Sequence, residues 1–152
     1  MGMSIRLEGL HPGRAAVAGM VAAVAYAGEM YVDMAVTGSR FDDIQLVESA
    51  LHGRMGHPPS TGIAIHLLNG VALGEIYGII APHLPGPAWA RGLLFGHLFL
   101  LAVWPLVPLV DRYHPLIRAG GMPRLARRVA FLQNVARHTT FGLALGLIYG
   151  SR

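Results

Sequence analysis

The chain has 152 residues, enough for one domain, and is 53% hydrophobic but only 13% charged, about half the charged share usual for a soluble domain. Cysteine is absent, which excludes disulfides, thiol catalysis and cysteine-ligated zinc. All twelve basic residues are Arg and the formal net charge is +4; arginine beside apolar runs follows the positive-inside rule and accounts for the basic balance with no nucleic-acid partner.

A transmembrane helix needs about 20 predominantly apolar residues, and four stretches meet this, at about 14–36, 60–81, 89–110 and 129–150. The first is rich in Ala and Val. It has Arg14 in front and an Ala25-Tyr26-Ala27 triplet that resembles a signal-peptide cleavage site, but the apolar run continues well past the triplet, which predicts a retained helix. In the loop that follows, Ile44, Val47, Leu51 and Met55 fall at helical spacing, with Asp42, Asp43, Glu48 and Arg54 opposite. That pattern predicts a short amphipathic helix over about 41–55, lying in the membrane interface.

The second stretch lies between Pro58-Pro59 and Pro82. A Pro/Gly turn over 82–88 joins it to the third, predicting antiparallel neighbours. Before the fourth stand Arg124, Arg127 and Arg128. Counting Arg by side sets Arg40, Arg54, Arg112, Arg118, Arg124, Arg127 and Arg128 against Arg6, Arg14, Arg91 and Arg152. This bias places both termini outside the cytoplasm.

Stretches two and four repeat one another. His66-Leu-Leu-Asn-Gly70-Val-Ala-Leu-Gly74-Glu-Ile-Tyr-Gly78 aligns without a gap on His138-Thr-Thr-Phe-Gly142-Leu-Ala-Leu-Gly146-Leu-Ile-Tyr-Gly150. The match predicts two helical hairpins related by a pseudo-two-fold axis along the membrane normal. Stretches one and three share little beyond small residues near Gly19 and Gly92. Gly62, His66, Gly70, Gly74 and Gly78 step by four, as do His138, Gly142, Gly146 and Gly150; small residues at this spacing let helix backbones approach closely. His66 and His138 fall on the same ridges and are expected to face inward.

Ionisable groups within a span usually face the protein interior and find partners. Glu29 and Asp33 lie one turn apart on the first stretch. His66, Asn69 and Glu75 lie on the second, His97 on the third, and Asn134, Arg137 and His138 on the fourth. Three readings fit Glu29, Asp33, His66 and His138. One is a structural network neutralised by Arg137. Another is a metal site with those four as ligands and the two asparagines behind them, a carboxylate–imidazole set that suits zinc, manganese or iron, although Arg137 would repel a cation. A third is a b-type haem held between His66 and His138. Glu75 and His97 read as a hydrogen-bonded pair, or as a proton-carrying one. His11, His52, His57, His83 and His114 fall in loops and are expected to be solvated, while Trp89, Trp104, Tyr77, Tyr113 and Tyr149 read as span-end anchors or packing. No nucleophile elbow, phosphate loop or zinc-protease helix is present.

The order of these motifs resembles the YagU-like group of small bacterial inner-membrane proteins. The resemblance rests on His66, Gly70, Gly74, Tyr77 and Gly78, on Leu84-Pro85-Gly86, Arg91-Gly92 and Phe95-Gly96, and on His138, Phe141-Gly142, Gly146 and Tyr149-Gly150. It implies a multi-pass bacterial inner-membrane location and transfers no mechanism. The expectation is an all-α, four-transmembrane-helix bundle in a lipid bilayer, a homo-oligomer or a subunit of a larger membrane complex. Its role is binding or accessory, with a cofactor-binding redox protein and a proton-coupled transporter or ion pathway as the alternatives.

Overall fold

The computed structural model describes residues 11–52 and 59–150, and the regular structure among them is helical throughout. In chain order the helices are α1 Pro12–Thr37, α2 Asp43–His52, α3 Ser60–Ile80, α4 Ala88–Val103, α5 Val107–Tyr113, α6 Pro115–Arg118 and α7 Arg128–Gly150. Arg6, Arg54, Met55, His57, Pro58 and Arg152 lie outside the described residues.

Three segments are long and apolar enough to cross a membrane: Pro12–Thr37, Ser60–His83 and Ala88–Tyr113. Val17, Val24, Val32, Leu68, Leu98 and Leu101 stand exposed on their outer faces, a distribution that suits lipid rather than water. α7 has 23 residues, long enough to span, but Gln133, Asn134, Arg137 and His138 make it more polar than the other three.

Local chemistry sets the helix ends. Pro12 occupies the first turn of α1, where its missing N–H is not needed. Gly38 ends that helix in the left-handed region at φ 70°, its N–H returning to Met34 O, a conformation that glycine adopts without steric penalty. The third spanning segment changes winding at Trp104–Leu106, a 3-10 turn around Pro105, because proline has no N–H to continue the α-helical ladder.

The bundle is assembled as two pairs, α1 with α3 and α4 with α7, and the pairs join through α1 and α7. Glycine sets both close contacts. A Cβ on Gly19 would collide with Gly70 O and lie 2.8 Å from Gly74 Cα, and a Cβ on Gly92 would collide with Gly142 O and lie 2.7 Å from Gly146 Cα. The expectation that α3 and α4 are packed neighbours holds only near their connecting turn. There Tyr77 stacks on Phe95 with ring centroids 5.4 Å apart, and its hydroxyl donates to Ala88 O at 3.3 Å. Further from the turn the two helices part, because the small-residue faces of α3 and α4 are committed to α1 and α7 respectively. Gly62 departs from its ridge in the same sense, meeting Ile44 and Glu48 of α2 rather than a spanning helix.

At the end away from that turn, a second small core gathers Phe41, Leu116, Ile117, Met122, Leu125 and Ala130. Asp111 holds the approach to α7 by accepting from Leu125 N at 2.6 Å and Ala126 N at 2.9 Å. His114, expected to be solvated, is buried with its Nε2 donating to Leu46 O at 2.9 Å.

The short α2 also corrects its expected orientation. It buries Ile44, Glu48 and Ser49, while Leu51 is exposed, so an acidic edge turns inward in place of a purely apolar one. Each buried acid has a partner that explains this. Asp42 Oδ1 caps the helix by accepting from Ile44 N and Gln45 N, both at 2.9 Å, and Glu48 Oε2 accepts from Gly62 N at 2.6 Å. The Gly62 N–H lies in the first turn of α3, where no intrahelical acceptor exists. Glu48→Ala should therefore destabilise the protein by about 1–3 kcal/mol, read as a lower melting temperature, whereas Glu48→Gln keeps an acceptor and should retain most of the stability.

Candidate functional site

Arg137 is the largest fully buried side chain and sits on α7 where that helix meets α1. Its NH1 donates to Asp43 Oδ2 at 2.8 Å, and NH2 donates to Asp33 Oδ2 at 3.2 Å and to Phe41 O at 3.0 Å. Its guanidinium carbon lies 4.4 Å from the Phe41 ring centroid, a favourable cation–π placement. Glu29 Oε2 faces Arg137 Nε at 3.9 Å, and neither atom has a hydrogen-bond partner among the described residues. Three carboxylates thus surround one guanidinium. Neutral donors add to the balance: Gln133 Nε2 reaches Asp33 Oδ2 at 2.6 Å and the Tyr26 hydroxyl reaches Asp43 Oδ2 at 2.8 Å.

The network was legible only in part. Arg137, Glu29 and Asp33 come together as expected for an ion-pair cluster. Asp43 is the nearest carboxylate to the guanidinium, although its sequence pattern placed it on the solvated side of α2. Gln133 and Tyr26 also join. The signal for Tyr26 was present: positions 26, 29 and 33 fall on one face of a helix at i, i+3 and i+7.

Tyr26 links this network to the histidines. Its ring lies 5.4 Å from that of His66 and 5.3 Å from that of His138, centroid to centroid, and its hydroxyl also approaches Asn134 Oδ1 at 3.3 Å. His138 further contacts Phe99 at 6.0 Å. His66 Nε2 bonds to Ala23 O and His138 Nδ1 to Asn134 O, both at 2.9 Å. A carbonyl can only accept, so those nitrogens carry a ring proton, and in a neutral imidazole the opposite nitrogen presents a lone pair.

This geometry disposes the expected cofactor residues differently from a ligand set. Glu29 and Asp33 turn to Arg137 while His66 and His138 turn to main-chain carbonyls, and no group of three potential metal ligands forms among the described residues. A haem clamped between His66 and His138 meets the Tyr26 ring, which packs against both imidazoles. Asn69 is exposed rather than behind a ligand. Glu75 and His97 do not pair. His97 Nδ1 bonds to Leu93 O at 2.8 Å and Nε2 lies 3.2 Å from Thr139 Oγ1, so α7, not α3, takes up the His97 side chain.

Where α3 and α4 part, a cleft of about 370 Å³ opens. Ala23, Tyr26, Asp43, His66, Asn134 and His138 line its inner part, and the exposed Asn69 also lines it; Leu73, Phe99, Leu100, Val103, Trp104, Val107 and Val110 form apolar walls, with Leu46 and Val47 of α2 at one end. Polar groups therefore converge at the bottom of an otherwise apolar slot, the composition typical of small-molecule sites.

The chain belongs to a family of unknown function, DUF6789, whose model matches residues 11–151. No curated protein and no solved structure matches it.

Proposed function

We propose that this is a four-helix integral membrane protein that binds an amphiphilic small molecule in the cleft between α3 and α4. The polar head lies at Tyr26, His66 and His138 and the apolar body along α4 and α5. The observation that carries this reading is the cleft itself, with apolar walls and a polar floor held rigidly by the Arg137 network. His66 Nδ1 and His138 Nε2 are acceptors, as is the Asp43 carboxylate, so the head that fits carries hydroxyl or amine donors.

Several features support α7 as the fourth span. At 1.5 Å per residue its 23 residues reach about 34 Å, enough for the hydrocarbon core. Its four polar residues Gln133, Asn134, Arg137 and His138 are buried, while Val129, Leu132 and Leu147 are exposed. The pseudo-two-fold repeat gains support from the paired contacts: Ala15 and Gly19 stand to Gly70 and Gly74 as Ala88 and Gly92 stand to Gly142 and Gly146. His66 stacks on Tyr26 as His138 stacks on Phe99. The symmetry breaks where Arg137 draws α7 to α1 and nothing equivalent draws α3 to α4, and the cleft lies at that break. A bacterial inner-membrane location, with both chain ends away from the cytoplasm, fits the arginine bias, the YagU-like motifs and the meeting of Arg14 with Ile148 O.

The test uses Trp104, which lines the cleft. The chain has two tryptophans, so Trp89→Phe leaves Trp104 as the single reporter. Titrating a brominated long-chain alcohol into the detergent-solubilised protein should quench it saturably. His138→Leu should weaken the apparent affinity by roughly two- to tenfold, the range of one hydrogen bond. Quenching that rises linearly without saturation, and identically in both proteins, would contradict the reading.

A further inference from the structure

A second cavity lies at the opposite end of the bundle, where α1 and α4 begin and α3 and α7 end. Its volume is about 480 Å³, and His11, Arg14, Tyr77, Arg91 and Tyr149 supply its polar lining. No Asp or Glu lines it among the described residues. Two helix N-termini and two C-termini meet here, so their dipoles largely offset one another, and among the described lining residues the two arginines supply the positive charge.

The arginines differ in how they are held. Arg14 is anchored, with Nε and NH2 each 3.4 Å from Ile148 O and its guanidinium carbon 5.8 Å from the Tyr149 ring centroid. Arg91 makes no side-chain hydrogen bond or ion pair among the described residues, and its Nε is buried without a hydrogen-bond partner. A buried N–H donor left unsatisfied is unfavourable unless something accepts from it. The neighbouring Tyr77 hydroxyl already donates to Ala88 O.

We propose that this cavity binds a phosphate-type oxyanion, with Arg91 as its principal ligand, Arg14 as a second positive charge and His11 as a further polar group of the lining. The planar guanidinium presents two parallel donors that match the oxygens of a phosphate group, a geometry an ammonium does not reproduce. The same chemistry is offered by the headgroup of an anionic phospholipid at this membrane surface and by free inorganic phosphate. This site stands apart from the α3–α4 cleft and does not depend on what that cleft binds.

The experiment measures the melting temperature of the full-length protein in phosphate-free dodecyl maltoside. One arm adds inorganic phosphate against chloride at equal ionic strength. The other adds phosphatidylglycerol against phosphatidylcholine in the same micelles. At least one anionic probe should raise the melting temperature saturably, and Arg91→Gln should weaken its apparent affinity about tenfold or more. A response to phosphatidylglycerol alone assigns the oxyanion to a lipid headgroup, and a response to inorganic phosphate assigns it to a soluble source. Without probe, Arg91→Gln should melt no lower than the wild type, since the Arg91 side chain makes no hydrogen bond among the described residues and its buried Nε is unsatisfied. Should that variant fail to fold, Arg91→Lys, which keeps the charge and loses the fork, should bind with intermediate affinity. The proposal is overturned if neither probe exceeds its control, or if both Arg91 variants respond as the wild type does.

Discussion

Arg137→Leu is expected to be the most damaging single substitution in this protein, lowering stability by about 3–5 kcal/mol. The guanidinium is fully buried and faces Glu29, Asp33 and Asp43. Removing it leaves three carboxylates gathered in a low-dielectric interior with, among the described residues, only the Gln133 and Tyr26 side chains donating to them. The same change severs α7 from Phe41 O, and with it the link between the second helix pair and the loop after α1. The expected result is a large loss of folded, monodisperse protein in a thermal-stability assay. The mechanism makes a second prediction that simple loss of packing would not. A buried ion pair is strongly destabilising when one side is removed, yet much less so when both sides become neutral. Arg137→Met combined with Asp33→Asn and Asp43→Asn should therefore recover a substantial part of the stability lost in Arg137→Met alone. If the triple variant is no more stable than the single one, charge compensation is not what holds this region.

Adding one methyl group at Gly92 is expected to have the second-largest effect. The new Cβ in Gly92→Ala would strike Gly142 O and come within 2.7 Å of both Gly146 Cα and Gly146 N. These are backbone atoms of α7, so no side-chain rotation relieves the clash and the two helices must separate. Overpacking of this kind typically costs about 1–3 kcal/mol, occasionally more. Gly19→Ala should behave alike, because its Cβ meets Gly70 and Gly74 backbone in the other pair. Gly28 is the control. Nothing lies within 4 Å of a Cβ there, and Gly28→Ala should not destabilise the protein and should raise its stability by up to about 1 kcal/mol through helix propensity. Denaturation of the four proteins in mixed micelles checks the order directly. Equal stability of the Gly28 and Gly92 variants would remove the glycine contacts from the account.

Periodicity and residue size carried much of the architecture. Length and hydropathy located three segments long and apolar enough to cross a membrane, because an apolar run has few alternatives to a membrane helix. The four-residue glycine spacing identified helix-packing faces, and the structure turns Gly70, Gly74, Gly142 and Gly146 to neighbouring helices. What stayed hidden were choices of partner. A glycine ridge states that some helix approaches closely, not which one. The short 82–88 turn therefore pointed to α3 with α4, while the observed partners are α1 with α3 and α4 with α7. Asp43 and Glu48 misled in a related way. On α2 alone they form a polar edge, and only the buried Arg137 and the open first turn of α3 make it favourable to turn that edge inward. His114 was unreadable for the same reason, its burial depending on the distant Leu46 carbonyl.

For the site, Glu29, Asp33, Arg137, His66 and His138 were marked as candidates, and the structure brings Glu29 and Asp33 to Arg137. The ring between His66 and His138 was not foreseen. Tyr26 converts a possible metal or haem pocket into the floor of a cleft, and a single-helix pattern does not reveal what fills the space between two other helices.

The natural absence of cysteine makes the central claim directly testable, because one introduced thiol reports one position. Asn69→Cys places it in the lining of the α3–α4 cleft, and Gly28→Cys places it on α1, where no neighbouring atom lies within 4 Å of its Cβ. The rate of maleimide labelling is measured at each position with and without a saturating long-chain alcohol. Protection should be severalfold at position 69 and absent at position 28. Equal rates with and without the alcohol at position 69 would contradict that claim.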